Sequence, residues 1–303
     1  MFIVRILIFI VFSFLSLSQL SGCSKSPAPL KTSLEAEAKF LKICKEEFNY
    51  YVVTKPVGNT IWIYLPIREN ILEYKASPKS ASPSQPSAKP TLRYLESRFE
   101  NNAFVVEYDI APATTYQKSY GYTTAYSREF QKKQINILTT LSRSYFDIQE
   151  SPGQTMPEIP EFFVLVVADI VRGTEVKGLA CFQDFKQAMS VPPAIPQEEY
   201  AKRYISEFIG SQAIINDSQG EHLEYKKIIW PEFLAKQIQN RINQKYQQSD
   251  FSPSVDTVEE ILNIISTTTQ IYNFTDFKTV KLHDLQNDKT FLFGREQLKT
   301  FVK

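Results

Sequence analysis

Residues 161–171, "EFFVLVVADIV", form the most continuously apolar stretch of the chain beyond its N-terminal segment. A strand with one wet face alternates apolar and polar residues, and this run does not. Its valines and phenylalanines predict a central strand covered on both faces, which requires a sheet with a layer packed on each side. Arg172-Gly173-Thr174-Glu175 supplies a turn, and "VKGLACF" (176–182) returns as its antiparallel partner.

The remaining elements follow from the same two periods. Thr32 and Glu35 make a T-x-x-E capping box ahead of Leu34, Ala38, Leu41, Cys44 and Phe48 at helical spacing. "YYVVTKPVGNTIWIYLPI" predicts a hairpin of strands 51–55 and 60–66 around Pro56-Val57-Gly58-Asn59. Ile61, Ile63 and Leu65 lie on one side, and Trp62 and Tyr64 on the other. Neither side is polar, so the hairpin is expected to be covered twice or to sit in an interface. "NAFVVEYDI" (102–110) alternates as a strand, and a long helix is expected over 124–146. Helices follow over Glu198–Ile209, from Pro231 to Gln247, and from Thr257 to Tyr272 behind an Asp256 cap. Residues 276–294 read as a last hairpin turning at Gln286–Asp288, ahead of a short terminal helix.

Hairpins imply antiparallel pairing. The expected class is therefore α+β, with helices packed on a mixed, largely antiparallel sheet built from hairpins and a helix-rich C-terminal part. Residues 77–90, "SPKSASPSQPSAKP", hold four prolines and five serines in fourteen positions. Such a stretch buries too little apolar area to offset its ordering entropy, and it reads as a disordered loop or linker, either dividing two domains or, in preference, running as an excursion between two strands of one sheet. The expected organisation is 32–76 as helix plus hairpin, 77–90 as loop, and 91–303 as the main α+β domain, packed with 32–76.

The N-terminus carries the most specific signal. Ile6–Leu17 is apolar except for Ser13 and Ser16, with Arg5 the one charge ahead of it. That is short of the roughly 20 residues a permanent membrane span needs. A positive residue, a short apolar core and small residues before a cut describe a secretory signal peptide. Leu20-Ser21-Gly22-Cys23 then resembles the lipobox of bacterial lipoproteins. The resemblance implies diacylation of the Cys23 thiol, cleavage after residue 22 and a tether over 23–31. It also implies a mature protein held on the membrane outside the cytoplasm, because two or more acyl chains anchor stably. Ser24, where enterobacterial inner-membrane lipoproteins carry aspartate, favours the outer membrane over the inner.

Composition excludes several classes. Arg5 is the one charged residue ahead of Cys23, which leaves 33 basic against 33 acidic residues. Nucleic-acid binding, which rests on surplus positive charge, is not expected. Nine glycines in 303 residues, with no G-x-G-x-x-G and no G-K-[ST], argue against a phosphate cradle. The two histidines, His222 and His283, are too few for a histidine-based metal site without distant carboxylates, and each reads as a surface or hairpin residue. Cys44 and Cys181 fall on apolar faces and read as small buried hydrophobes rather than a disulfide. No catalytic residue, cofactor or metal ligand is therefore expected; the one site residue is Cys23, through lipidation.

Two sharper readings give way to plainer ones. Asp169 closes the buried strand where acids often catalyse, but no partner group is in sight, and it reads as the point where the strand reaches water. Tyr116, Tyr120, Tyr122, Tyr126 and Phe130 stand in an aromatic ladder that suits sugar stacking, yet four-residue spacing is first the mark of an inward helix stripe. The helix-then-hairpin order at 32–66 and 124–182 resembles the αββ modules of ring-forming secretion and secretin-associated envelope proteins, in element order only. The expected function is a non-catalytic envelope module that binds another envelope component. The alternatives are a carrier of lipid, sugar or peptide, and a hydrolase using dispersed carboxylates.

Overall fold

The computed structural model describes residues 33–76, 91–111, 122–146, 160–247 and 256–301. Cys23, Thr32, the Pro/Ser-rich 77–90 stretch, Tyr116 and Tyr120 lie outside the described residues. In chain order the elements are α1 (Ser33–Phe48), β1 (Val53–Val57), β2 (Thr60–Ile67), β3 (Leu72–Ala76), β4 (Thr91–Glu100), β5 (Ala103–Ala111), β6 (Tyr122–Tyr126), α2 (Arg128–Tyr145), β7 (Phe162–Asp169), β8 (Thr174–Cys181), α3 (Phe182–Met189), α4 (Gln197–Arg203), β9 (Ile205–Gly210), α5 (Trp230–Gln247), α6 (Thr257–Ile271), β10 (Thr279–Asp284), β11 (Lys289–Gly294) and α7 (Arg295–Leu298). Single 3₁₀ turns occupy Gln212–Ile214 and Lys299–Phe301. The fold is α+β. The long helices α5 and α6 give the C-terminal part its helical character, but β9, β10 and β11 share that part with them.

The chain divides into two compact units, and each is built from two stretches of sequence. One comprises, of the described residues, 33–76, 122–146 and 160–228, and its main sheet has the order β1-β2-β7-β8-β9. β7 is the middle strand, as its apolar run predicts, and all eight of its residues are buried. It pairs parallel with β2 (Tyr64 opposite Val166) and antiparallel with β8 (Val166 opposite Lys177). The odd-numbered residues of β2 and β7, including Ile63, Leu65, Phe163 and Leu165, face a core completed by Phe40 and Cys44 of α1, Phe130 and Leu141 of α2, and Phe185 of α3. Burying each such side chain contributes roughly 1.5–3 kcal/mol, so this layer dominates the stability of the unit.

The opposite face of that sheet carries Trp62 and Tyr64, both buried. It is covered by residues 211–228, which contain no helix beyond the 3₁₀ turn. Hydrogen bonds strap this segment down. Trp62 Nε1 donates to Lys226 O (2.9 Å), the Tyr64 hydroxyl donates to Asp217 O (2.6 Å), and Ile228 N donates to Thr60 Oγ1 (2.9 Å). The two-sided apolar hairpin is therefore covered by its own chain, and it gives no reason to expect an interface there.

The second unit comprises, of the described residues, 91–111, 229–247 and 256–301, with the sheet order β11-β10-β5-β4. Asn101 and Asn102 both adopt left-handed backbone (φ 51° and 60°), which makes the tight turn between β4 and β5. β5 pairs parallel with β10, so the last hairpin joins the sheet beside a strand some 170 residues earlier in the chain. Phe104 meets Phe99, Phe274 and Phe277 edge to face, and Phe274 stacks on Phe277. α5 lies along β4, and Gln239 Oε1 accepts from Ser97 N, occupying a backbone donor on that strand.

Several expectations are corrected. α1 turns Ala36, Phe40, Ile43 and Cys44 inward, while Leu34 and Ala38 are exposed; one apolar stripe competed with another and the aromatic one won. The aromatic ladder is not one helix stripe, because Tyr122 and Tyr126 belong to strand β6, which pairs with β3, and the helix begins only at Arg128 behind its Ser127 cap. The Glu198–Ile209 helix stops at Arg203, and its β-branched tail becomes strand β9. Strands β3 and β4 went unpredicted. They flank the Pro/Ser-rich stretch and belong to different sheets, not to one.

Candidate functional site

The most chemically loaded cluster among the described residues sits where the 211–228 segment meets the sheet. Glu175 projects from β8 on the Trp62/Tyr64 face and is 2 % exposed, in a strand and not in the turn the sequence suggests. Asp217 opens a loop whose backbone it organises. Its Oδ1 accepts from Gln219 N (2.9 Å) and Gly220 N (2.7 Å), and its Oδ2 accepts from His222 N (3.0 Å). Gly220 (φ 72°) closes the loop in the left-handed region, with Tyr64 and Tyr225 packed where a Cβ would stand.

That loop delivers His222 between the two carboxylates. Its Nδ1 lies 2.5 Å from Asp217 Oδ2, and its Nε2 lies 2.8 Å from Glu175 Oε2. A neutral imidazole donates from one nitrogen only, so donating to both carboxylates at once requires the imidazolium. Burial by itself would push His222 down; the hydrogen bonds and charges of Asp217 and Glu175 outweigh it and hold the ring above its ordinary value. Burial would likewise raise Asp217, but its hydrogen bonds with the His222 amide and ring and with the loop amides hold it well below the usual carboxylate range. His222 is thus a half-buried clamp between two carboxylates, not the surface or hairpin residue its isolation in the sequence suggests.

An aromatic and cationic rim frames the cluster. The Tyr64 ring meets the His222 ring edge to face (5.9 Å), and Trp62 meets Tyr225 in the same way (5.4 Å). Lys55 Nζ lies 4.1 Å from the centre of the Tyr225 ring, and Lys177 Nζ lies 5.0 Å from that of Trp62. Burial, then the nearby carboxylates, push the Tyr64 and Tyr225 hydroxyls up.

With both ring nitrogens engaged, His222 has no lone pair to offer a metal or a substrate proton, so the arrangement is suited to holding the segment in place. Among the described residues no group of three or more His, Cys, Asp or Glu side chains is set to hold a metal ion.

The other sequence candidates separate. Asp169 is fully buried and does not reach water. Its Oδ1 accepts from Val171 N and Arg172 N, and its Oδ2 faces the Arg172 guanidinium (3.0 Å), so it caps the β7–β8 turn. Cys44 and Cys181 are buried free thiols. Burial pushes Cys44 up to about 12 and Cys181 up to about 11, which leaves neither as an activated nucleophile. His283 lies on β10 near Glu107 and Asp288. Arg203 sits between Asp184 (2.7 Å) and Glu199 (3.0 Å), a second charge cluster that packs α3 against α4.

A shallow cleft of about 250 Å³ lies between α6 and α7, lined by Ser266, Asn273, Phe274, Arg295 and Leu298 among others. It falls below the roughly 300–1,000 Å³ of small-molecule sites. Arg295 there already donates to Thr275 O (2.5 Å).

Sequence reasoning missed Glu175 and Asp217. The signal for Asp217 is present in "NDSQGEH" (216–222), an Asx turn followed by glycine. Nothing local to Glu175 announces its partner. Among the described residues no helix is long and apolar enough to cross a membrane. No protein-family model, curated protein or solved structure matches the chain.

Proposed function

We propose that the chain is a lipid-anchored protein of the bacterial cell envelope. Cys23 holds it on the non-cytoplasmic side, at the outer membrane in preference to the inner, and its α+β body is a non-catalytic module that binds another envelope protein. The observation that carries this reading is Leu20-Ser21-Gly22-Cys23 directly after a short apolar run. Small residues fit a narrow peptidase cleft, and a thiol accepts a thioether-linked glyceride. Buried acyl chain contributes about 0.8 kcal/mol per methylene, so two chains suffice for stable attachment.

The interaction role draws support from strand β11, the outermost strand of its sheet, which carries Leu292 at 67 % exposure. An edge strand with an apolar side chain in water is a ready template for an added strand from another protein. The anchoring is tested by metabolic labelling with a clickable fatty acid in a bacterial host. Wild type takes up label and fractionates with membranes, and Cys23→Ala loses both; an unlabelled wild type sinks the reading. The binding role is tested by crosslinking the anchored protein in cells. A stoichiometric envelope partner that is lost on Leu292→Lys supports it, and a partner retained by that variant removes the β11 argument.

A further inference from the structure

We infer that His222 is the pin of a pH-operated latch: when its ring gives up a proton, residues 211–228 lift from the five-stranded sheet and uncover the Trp62 and Tyr64 face. The geometry carries this. Asp217 keeps three backbone donors whatever the ring does. Either neutral tautomer leaves one bare ring lone pair against a carboxylate: Nε2 toward Glu175 Oε2 at 2.8 Å, or Nδ1 toward Asp217 Oδ2 at 2.5 Å. Glu175 is buried, and His222 is the side chain that holds its carboxylate. A buried carboxylate facing a lone pair is costly, and the segment that carries the ring is free of regular secondary structure outside one 3₁₀ turn, so opening it is the cheaper relief.

The groups that face the ring come from every packed element: Glu175 and Lys177 of β8, Tyr64 of β2, Lys55 of β1 through Tyr225, and Asp217 and Tyr225 of the segment itself. Opening favours the deprotonated ring, because a solvated histidine titrates near 6.5 and the clamped one higher. The opening constant therefore grows up to tenfold for each pH unit between those two values, and levels off above the higher one.

Trp230→Phe leaves Trp62 as the one tryptophan of the chain, and acrylamide quenching of its fluorescence reports whether the segment is down. In the full-length Trp230→Phe protein, quenching is expected to rise from pH 5 to 9 with the midpoint at which the His222 ring titrates by NMR. In the Trp230→Phe/His222→Gln protein it is expected to be independent of pH. Amide exchange of Gln219, Gly220 and His222 in the unaltered chain, corrected for intrinsic base catalysis, should follow the same midpoint. The latch is overturned by flat quenching and exchange across this range, by a pH course that survives His222→Gln, or by a His222 midpoint at or below 6.5.

Discussion

His222 Nε2 and Glu175 Oε2, 2.8 Å apart, join a loop to a strand 47 residues earlier in the chain. This contact joins the hydrogen bonds of Trp62, Tyr64 and Ile228 in holding residues 211–228 over the second face of the five-stranded sheet. The other face is closed by the apolar core layer, with Thr54 Oγ1 of β1 donating to Glu37 Oε1 of α1, and it holds no histidine.

Stability should peak on the mildly acidic side. His222 is held above its ordinary value, so its contribution is complete below about pH 6.5 and is lost as pH rises through the folded value. Asp217 is held below its ordinary value, so its contribution is complete above about pH 4 and is lost as pH falls through the folded value. Thermal unfolding from pH 3 to 9 should show the wild-type midpoint highest between about 4 and 6.5. His222→Gln should flatten the alkaline limb and weaken, without abolishing, the acid limb, because the loop amides still hold Asp217 low when the ring is gone; an unchanged alkaline limb would contradict the assignment.

Glu175→Ala and Glu47→Ala should differ sharply although each removes a carboxylate from an ion pair. Glu175 is buried and the His222 side chain is only 10 % exposed, and stripping one partner from such an enclosed pair costs about 3 kcal/mol or more. Glu47 meets Arg143 with two hydrogen bonds, but both side chains are nearly half exposed, and exposed pairs contribute about 0.2–1 kcal/mol. Urea titrations of the two variants rank them directly, and equal losses would mean that the buried cluster is solvated.

Gly178 is held by close approach. A Cβ built on it would stand 1.8 Å from the Tyr204 hydroxyl. Gly178→Ala should therefore cost about 1–3 kcal/mol through overpacking. Combined with Tyr204→Ala it should cost less than the two single changes together, because the clash then has no second party. Strict additivity in denaturant unfolding would refute the contact.

Asp256 caps α6 by accepting from Val258 N (2.8 Å) and Glu259 N (3.4 Å). Asp256→Ala should cost about 1 kcal/mol, and Asp256→Ser should recover most of it. Phe163→Ala, in the centre of the core layer and fully buried, should cost about 3–5 kcal/mol. A capping loss as large as the core loss would reverse this ranking of forces.

Features decided within a few residues of themselves were readable. The unbroken run ending at Asp169, the Asp256 cap, the Pro231 start and the turn around Asp288 each carry their physics locally, and the structure places the elements accordingly. Where two local preferences competed, the sequence reading failed. Glu198–Ile209 holds helix formers followed by Ile205, Phe208 and Ile209, and an open place beside β8 drew that tail into the sheet. Tyr122–Tyr126 has helical spacing toward Phe130, yet the backbone bonds offered by β3 made it a strand.

The sequence by itself determined an α+β class and a doubly covered central strand, because periodicity, turn chemistry and residue size act over short stretches. Tertiary structure alone decided that β2 lies parallel to β7, that β5 lies parallel to β10, and that a solitary histidine stands between two carboxylates. Those outcomes depend on bringing together groups separated by tens to more than a hundred residues. The cost of closing such loops grows only slowly with their length, so no local signal singles out the partner. Burial makes the choice instead: the sheet needed a second cover, and the segment that supplied it carried Asp217 and His222 to Glu175.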